Sequence, residues 1–281
     1  MIVANVRHRL TRDDAQLALR LVGRHGAEAR EAAEVGLRDE GIDALLDDAR
    51  LLEGLVRTPA GAHASLPLFC YVVVRHALIA QGERDRVVSD YVAALLLEFG
   101  FRQRAWRVSE GDDEVYDTLA ALLADAEHGD PRRTFLVRAH LGNFAHWLAG
   151  CFPDRIEHRH WRRGGPDLEY YDTLGARGFQ LAADHRLAAE HGMQGVFAHA
   201  SAQFQQLRVA LNAVSDVLLF PNVHTPERLM RQVRDDARWR RASRPATVGR
   251  RVAARAAGSV DFGSRHPLPS CSTTSRPPCA T

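Results

Sequence analysis

The segment that most constrains the fold runs from residue 132 to 153, because its predicted helix is apolar on two faces instead of one. One stripe holds Val137, Leu141, Phe144 and Leu148, and a second holds Leu136, His140, Asn143 and Trp147. A surface helix needs only one apolar stripe, so this helix is predicted to be wrapped by others. Gly142 would let a neighbouring backbone come close, and Pro153 ends the pattern.

Helical periodicity predicts an all-α protein, because no alternating strand pattern competes with it. Residues 65–220 are predicted to form the main helical bundle, with about six helices. Further predicted helices include 84–99, 112–126, 167–190 and 194–219. Residues 1–60 are predicted to form an N-terminal helical cap, in which Thr11 and Asp14 begin one helix and 41–56 form another.

The charge of the chain is unevenly distributed, although its formal net charge is only +2. Residues 226–281 hold twelve Arg and four acidic residues, a net charge of +8, and residues 1–225 have a net charge of −6. Every basic residue is Arg and none is Lys. The codon bias of a GC-rich genome explains this choice more simply than a function does.

The C-terminal residues 221–281 are predicted to form a basic, largely disordered tail. Within it, 226–241 could form a basic helix. Residues 242–281 have too few apolar side chains to offset the entropy of ordering them. An out-of-frame translation of GC-rich DNA is the alternative explanation of that last stretch.

Cysteine usage and hydropathy predict a soluble, cytoplasmic protein with no membrane partner. The four Cys show no paired spacing, and no signal peptide is visible at the start. The longest apolar run, 66–74, is far shorter than the roughly 20 residues that span a bilayer.

Motifs that carry well-defined chemistry are absent from the chain. It has no phosphate-binding loop, dinucleotide fingerprint, nucleophile elbow or zinc-type spacing. The densest group of its fourteen His is His140, His146, His158, His160 and His185. The first two would face different sides of one helix, and His158 and His160 are predicted to lie in a loop. We therefore predict no metal site and no cofactor.

The best candidate for a polar site inside the bundle centres on the doubly apolar helix. Its residues are Arg138, His140, Asn143 and Trp147, joined by Tyr170, Tyr171 and His185 from the following helix. His140, Asn143 and Trp147 share one face at spacings of three and four. A buried His beside an amide can transfer protons or hold a ligand. The alternative is a hydrogen-bonded layer that only fixes the helix register.

The stretch 141–153, Leu-Gly-Asn-Phe-Ala-His-Trp-Leu-Ala-Gly-Cys-Phe-Pro, followed by Tyr170 and Tyr171, resembles a family of uncharacterised bacterial helical proteins. In that family a Leu-Gly-Asp/Asn-aromatic-Ala core leads to Gly-x-Phe-Pro and then to a Tyr-Tyr pair. The resemblance covers residues 66–220 and implies an α-helical fold, with no activity known. An acidic residue is common where this chain has Asn143. If that acid is catalytic, its absence argues against the same chemistry here.

Three functions from different classes remain open. The leading hypothesis is a binding or scaffolding protein that contacts a protein partner or forms a homodimer, because every long helix carries an apolar stripe. The second is an enzyme or small-ligand binder with a polar pocket around His140, Asn143 and Trp147. The third is a nucleic-acid-associated protein that neutralises phosphates with its Arg-rich tail, although a solvated tail is the simpler interpretation.

Overall fold

The computed structural model describes residues 1–101, 104–109, 112–126, 130–222 and 225–242, with only the backbone described at 101, 104 and 236–242. This part of the chain is all-α and contains no strand, which confirms the predicted fold class. The helices are α1 Arg12–Gly23, α2 Ala27–Asp39, α3 Ile42–Leu46, α4 Ala49–Arg57, α5 Leu66–Ala80, α6 Arg86–Leu96, α7 Leu119–Asp125, α8 Pro131–Cys151, α9 Pro153–Arg163, α10 Leu168–Ala183, α11 Arg186–Glu190, α12 Gln194–Ala202, α13 Phe204–Val214 and α14 Pro226–Ala242. Two π-helical turns, Leu97–Phe101 and Ser215–Leu219, follow α6 and α13. The predicted disorder of 243–281 lies outside the described residues.

Helix α8 is the buried helix that the sequence predicts. Asp130 begins it by accepting hydrogen bonds from the backbone N–H groups of Arg132 at 2.9 Å and Arg133 at 3.2 Å. Pro131 stands at the first helical position, where its missing N–H would have had no partner in the helix. All but three of the residues from 135 to 151 are buried, and α7, α10 and α13 pack around them.

Glycines bring α8 and α10 together, as the sequence predicts for Gly142. A Cβ added at Gly178 would lie 2.7 Å from the backbone nitrogen of Gly142. A Cβ at Gly142 would lie 2.5 Å from the ring of Phe179, and one at Gly175 would lie 2.3 Å from the ring of Phe204. Any larger side chain at these positions would force the helices apart.

The N-terminal segment joins the same core as the rest of the chain. Thr11 and Asp14 form the predicted capping box: the Thr11 hydroxyl accepts from the Asp14 N–H at 3.3 Å, and the Asp14 carboxylate accepts from the Thr11 N–H at 2.9 Å. The other carboxylate oxygen of Asp14 accepts from the N–H of Ser65 at 3.3 Å. One hydrophobic core includes residues of both the predicted cap and the predicted bundle, and 1–237 form one compact unit.

The single helix predicted at 41–56 is divided into α3 and α4. Asp48 caps α4, and Asp47 lies in the break between the two helices. The Asp47 carboxylate accepts from Arg75 Nε at 2.7 Å and from Arg86 Nη2 at 2.7 Å. These ion pairs to α5 and α6 are tertiary contacts, which apolar periodicity cannot reveal.

The prediction of a helix at 112–126 is wrong for the first half of that range, because only α7, Leu119–Asp125, is helical within it. Arg133 holds the preceding residues in an irregular conformation. Its guanidinium contacts the carboxylates of Asp112 at 3.0 Å and Glu114 at 2.7 Å, and donates to the Tyr116 hydroxyl at 2.7 Å.

The loop predicted around His158 and His160 is helix α9. Pro153 ends α8, as predicted, but it also occupies the first position of α9, which a proline tolerates. Gly164 ends α9 with φ of 63°, a left-handed conformation that glycine adopts without strain.

The two long helices predicted at 167–190 and 194–219 are each interrupted. His185 caps α11 after α10 has ended, and Gln203 separates α12 from α13. The C-terminal end of the second pattern is the π turn Ser215–Leu219. Such short interruptions leave the three–four spacing of apolar residues intact, so the sequence pattern continues across them.

Helix α14 occupies the part of the predicted tail where the sequence allowed a basic helix. Arg228 and Arg231 of this helix are buried against the body of the protein. The described start of the basic tail is therefore a packed helix, the one that the sequence allowed at 226–241.

Candidate functional site

The predicted site residues His140 and Asn143 lie together in the core. The Tyr91 hydroxyl donates a hydrogen bond to Asn143 Oδ1, and burial raises the pKa of Tyr91 above its usual range. His140 Nε2 contacts the backbone oxygen of Ala105 at 3.0 Å. The His140 ring stacks on Phe144 with centroids 6.0 Å apart. In the sequence, Tyr91 belongs to the apolar stripe of the predicted helix 84–99, which gives no sign of this polar contact.

The space beside these two residues is too small for an organic ligand. It has a volume of about 20 Å³ and is bordered by Met1, Ile2, Phe99, Arg107, Val108, Leu136, Ala139, His140 and Asn143. A cavity of roughly 10–15 Å³ on this measure holds one water molecule, and ligand pockets are usually about 300–1,000 Å³. The pair is therefore packed like a structural polar layer.

The other predicted site residues do not line this space. Trp147 packs its ring at 5.8 Å from Phe99 and belongs to an aromatic cluster. Tyr170 and Tyr171 lie in the first turn of α10 with ring centroids 5.8 Å apart. Trp147 thus stays beside His140, because both pack on Phe99 and Phe144, whereas the other predicted site residues lie in separate environments.

His185 and Arg138 belong to another of these environments. His185 Nδ1 accepts from the Leu187 N–H at 3.3 Å, and its ring stacks on Phe135 at 5.4 Å. Burial and then the positive charge of Arg138 lower the pKa of His185. The Nε of Arg138 is buried and has no hydrogen-bond partner among the described residues.

A much larger site, which sequence reasoning missed, lies between α4, α5, α13 and the π turn Ser215–Leu219. We call it the apolar groove, and its volume is about 470 Å³. Its lining residues are Ala49, Leu52, Glu53, Val56, Arg57, Val73, His76, Ala77, Ala213, Val214, Val217 and Leu218. Its volume is that of a binding site, because it lies within the usual range for ligand pockets.

The polar groups of the apolar groove are few. Glu53 and Arg57 lie one turn apart on α4. His76 Nε2 contacts the backbone oxygen of Leu46 at 3.1 Å, and burial lowers the pKa of His76. The neutral ring can donate from Nε2 to that carbonyl. These groups can orient an apolar ligand, and they do not form a nucleophile–base pair.

A signal for the apolar groove was present in the sequence. The stripe of 41–56 includes Leu52 and Val56, and the stripe of 194–219 continues to Leu218. Each of these patterns is equally typical of a helix that faces a closed core. Only the helix positions reveal that no neighbouring helix among the described residues covers Val56 and Val217, which stay exposed.

A second polar feature, the α14 ion-pair cluster, joins α14 to the body through Arg228, Arg231, Asp154 and Asp216. Arg228 Nε donates to Asp154 at 2.6 Å, and Arg231 Nη2 donates to Asp216 at 2.7 Å and to Asp154 at 3.2 Å. Two guanidinium groups thus neutralise two carboxylates. A neighbouring space of about 220 Å³ is bordered partly by Asp154 and Arg228.

Metal-ion clusters and membrane-spanning helices are both absent from the described residues. The described part of the chain holds no group of three or more His, Cys, Asp or Glu placed to bind a metal ion. None of its helices has the length and apolar content needed to cross a bilayer.

Comparisons with protein-family profiles, with curated protein sequences and with solved structures each found no match. The resemblance to a bacterial helical family therefore stays a prediction, and the function must be inferred from geometry.

Proposed function

We propose that this protein is a binding protein whose apolar groove holds an amphipathic helix of a protein partner. The observation that carries the proposal is the groove's volume of about 470 Å³ together with its mostly apolar lining. Helices that bind in grooves insert apolar side chains at spacings of three, four and seven residues. Three surrounding helical segments, α4, α5 and α13, offer ridges and grooves that fit such a helix.

The free energy of binding would come mainly from covering exposed valines. Val217 is 66% exposed and Val56 is 41% exposed. Covering apolar surface contributes about 25 cal/mol per Å², and a fully buried Val contributes about 1.5–3 kcal/mol. Glu53 and Arg57 would set the direction of the bound helix through charge, at a smaller gain in affinity.

The alternative functions have less support from geometry. A polar active site at His140, Asn143 and Trp147 would need a cavity, and the space bordered by His140 and Asn143 is about 20 Å³. Of the twelve Arg in 226–281, Arg228 and Arg231 are buried in ion pairs and are not available to phosphates; Arg234 is the only other one whose side chain is described.

A peptide-display experiment tests the proposal. A library of amphipathic helical peptides is selected against the full chain, and the selected peptides are measured against Val217→Glu. We expect at least a tenfold loss of affinity, because the added carboxylate would be buried against apolar side chains.

The matched control is Val87→Glu, since Val87 is an exposed valine on α6, outside the groove lining, with 45% exposure. This variant should bind the peptides like the unmodified protein. The proposal is wrong if no peptide is selected, or if the selected peptides bind Val217→Glu as tightly as the unmodified protein.

A further inference from the structure

Helix α14 has its polar and apolar faces reversed relative to an ordinary surface helix. Arg228 and Arg231 are 4% and 2% exposed, whereas Leu229, Met230 and Val233 are 57%, 61% and 64% exposed. At 100° per residue the two arginines lie on one side of the helix and the three apolar residues on the opposite side. We call Leu229, Met230 and Val233 the α14 stripe.

The α14 ion-pair cluster determines this orientation. Turning the α14 stripe toward the body would remove Arg228 and Arg231 from Asp154 and Asp216. That rotation would leave the carboxylates of Asp154 and Asp216 without their guanidinium partners, which is unfavourable for partly buried charges. One additional contact holds the inward face, because the Gln232 amide donates to Asp216 at 2.9 Å.

The α14 stripe consequently cannot fill the apolar groove of its own chain while the ion pairs are made. The α14 stripe and the apolar groove are both uncovered among the described residues. They flank the same π turn, because Asp216 binds α14 while Val217 and Leu218 line the groove. Every copy of the chain therefore presents a matched pair of surfaces side by side.

We propose that two copies of the chain form a closed dimer, in which the α14 stripe of each copy lies in the apolar groove of the other. This inference rests on the proposed function of the groove and names its partner as a second copy. Because the α14 stripe lies near the apolar groove, a two-fold axis can relate the two copies so that both stripe–groove contacts form at once. Such an assembly is closed.

Charges beside the two surfaces favour this partner and specify its direction. Along α4 the order is Glu53 then Arg57, and along α14 it is Glu227 then Arg234. In an antiparallel crossing Glu227 faces Arg57 and Arg234 faces Glu53, whereas a parallel crossing opposes like charges. Within one chain Glu53 already lies 3.5 Å from Arg24, and Arg234 lies 2.7 Å from Glu157, so the complementarity between copies rests mainly on Glu227 and Arg57.

Sedimentation of the full chain tests the dimer. We expect a concentration-dependent dimer for the unmodified protein and for Val87→Glu. Val217→Glu places a charge in the apolar groove, and Val233→Glu places one in the α14 stripe. Each variant should raise the dissociation constant of the dimer at least tenfold. Helical circular dichroism and thermal midpoints matching the unmodified protein would show that both variants are folded.

Mixing the two variants gives the decisive result. Val217→Glu retains an intact stripe and Val233→Glu retains an intact groove, so one of the two contacts can re-form between them. Unlabelled Val217→Glu added to fluorescently labelled Val233→Glu should produce a heterodimer at concentrations where each variant alone is monomeric.

Several outcomes would show that the proposed closed dimer is wrong. These are an unmodified chain that is monomeric at the highest concentration attainable, a Val217→Glu variant that dimerises normally, or a mixture that stays monomeric. The second would indicate pairing of stripe with stripe, because Val217→Glu keeps an intact stripe. If the groove still binds selected peptides in any of these cases, the closed dimer is wrong and the proposed function of the groove stands. If Val217→Glu loses neither peptide nor dimer, both proposals are wrong.

Discussion

Gly178 is a position where one added methyl group should destabilise the packing of α8 on α10. In Gly178→Ala the new Cβ would lie 2.7 Å from the backbone nitrogen of Gly142 and 3.1 Å from the backbone oxygen of Arg138. Favourable contacts lie at about 3.5–4.0 Å, so α8 and α10 would have to separate by roughly an ångström. Both close neighbours are backbone atoms, and no side-chain rotation relieves the overlap.

The expected cost can be estimated from two opposing effects. Overpacking a core costs about 1–3 kcal/mol, and the separation would also weaken the most extensive helix pairing of the fold. Replacing a helical Gly by Ala recovers about 0.5–1 kcal/mol. We expect a net loss of about 2 kcal/mol, which for about 150–250 residues lowers the thermal midpoint by about 4–8 °C.

Gly195→Ala is the matched control, because Gly195 lies in α12 and a Cβ there would meet nothing within 4 Å. This variant should gain about 0.4–1 kcal/mol. Urea unfolding followed by helical circular dichroism measures both changes at an unaltered m value. If Gly178→Ala were as stable as Gly195→Ala, the close packing of α8 on α10 would be wrong.

Three further predictions concern buried polar groups. Burial, followed by the charge of Arg208, lowers the pKa of His146 to about 3, whereas an unfolded His has a pKa of about 6.5. The unfolded chain therefore binds the extra proton, so stability is full above about pH 6.5 and falls as the pH drops toward 3. In His146→Leu, urea unfolding should show a smaller loss over that window, and an unchanged slope would contradict the assignment. Arg231→Met should weaken α14 docking by about 3–5 kcal/mol, measured as lost hydrogen-exchange protection in 226–235, and retained protection would argue against the ion pairs as its anchor. Burial raises the pKa of Cys70 and of Cys151 to about 12, so peptide mapping after alkylation at mildly alkaline pH should find both thiols unmodified until urea is added.

Local chemistry explains which parts of the fold could be predicted. Thr11 with Asp14, and Pro131 after Asp130, begin their helices through contacts within a few residues, so their sequence spacing is sufficient evidence. The burial of α8 could be predicted because its two apolar stripes leave no face for water. By contrast, the breaks at Asp47 and before α7 depend on arginines that are distant in the sequence or lie in other helices.

The candidate site was predicted less well, for a related reason. Spacing on α8 correctly placed His140 and Asn143 near each other. It could not reveal that Tyr91 hydrogen-bonds Asn143, or that the remaining space is about 20 Å³. The apolar groove was missed because an apolar side chain that lines an open groove has the same sequence pattern as one in a closed core.

The sequence by itself determined that this protein is all-helical and that α8 is its central buried helix, because periodicity, capping residues and glycines act over one or two turns. Only the tertiary structure decided which apolar stripes are covered and which face of α14 points inward. Burial is a property of neighbours brought from elsewhere in the chain: Arg231 can turn inward only because Asp154 and Asp216 are there to receive its charge. The exposure of Val217 and Val233 depends in the same way on the positions of the other described helices, which leave both valines uncovered.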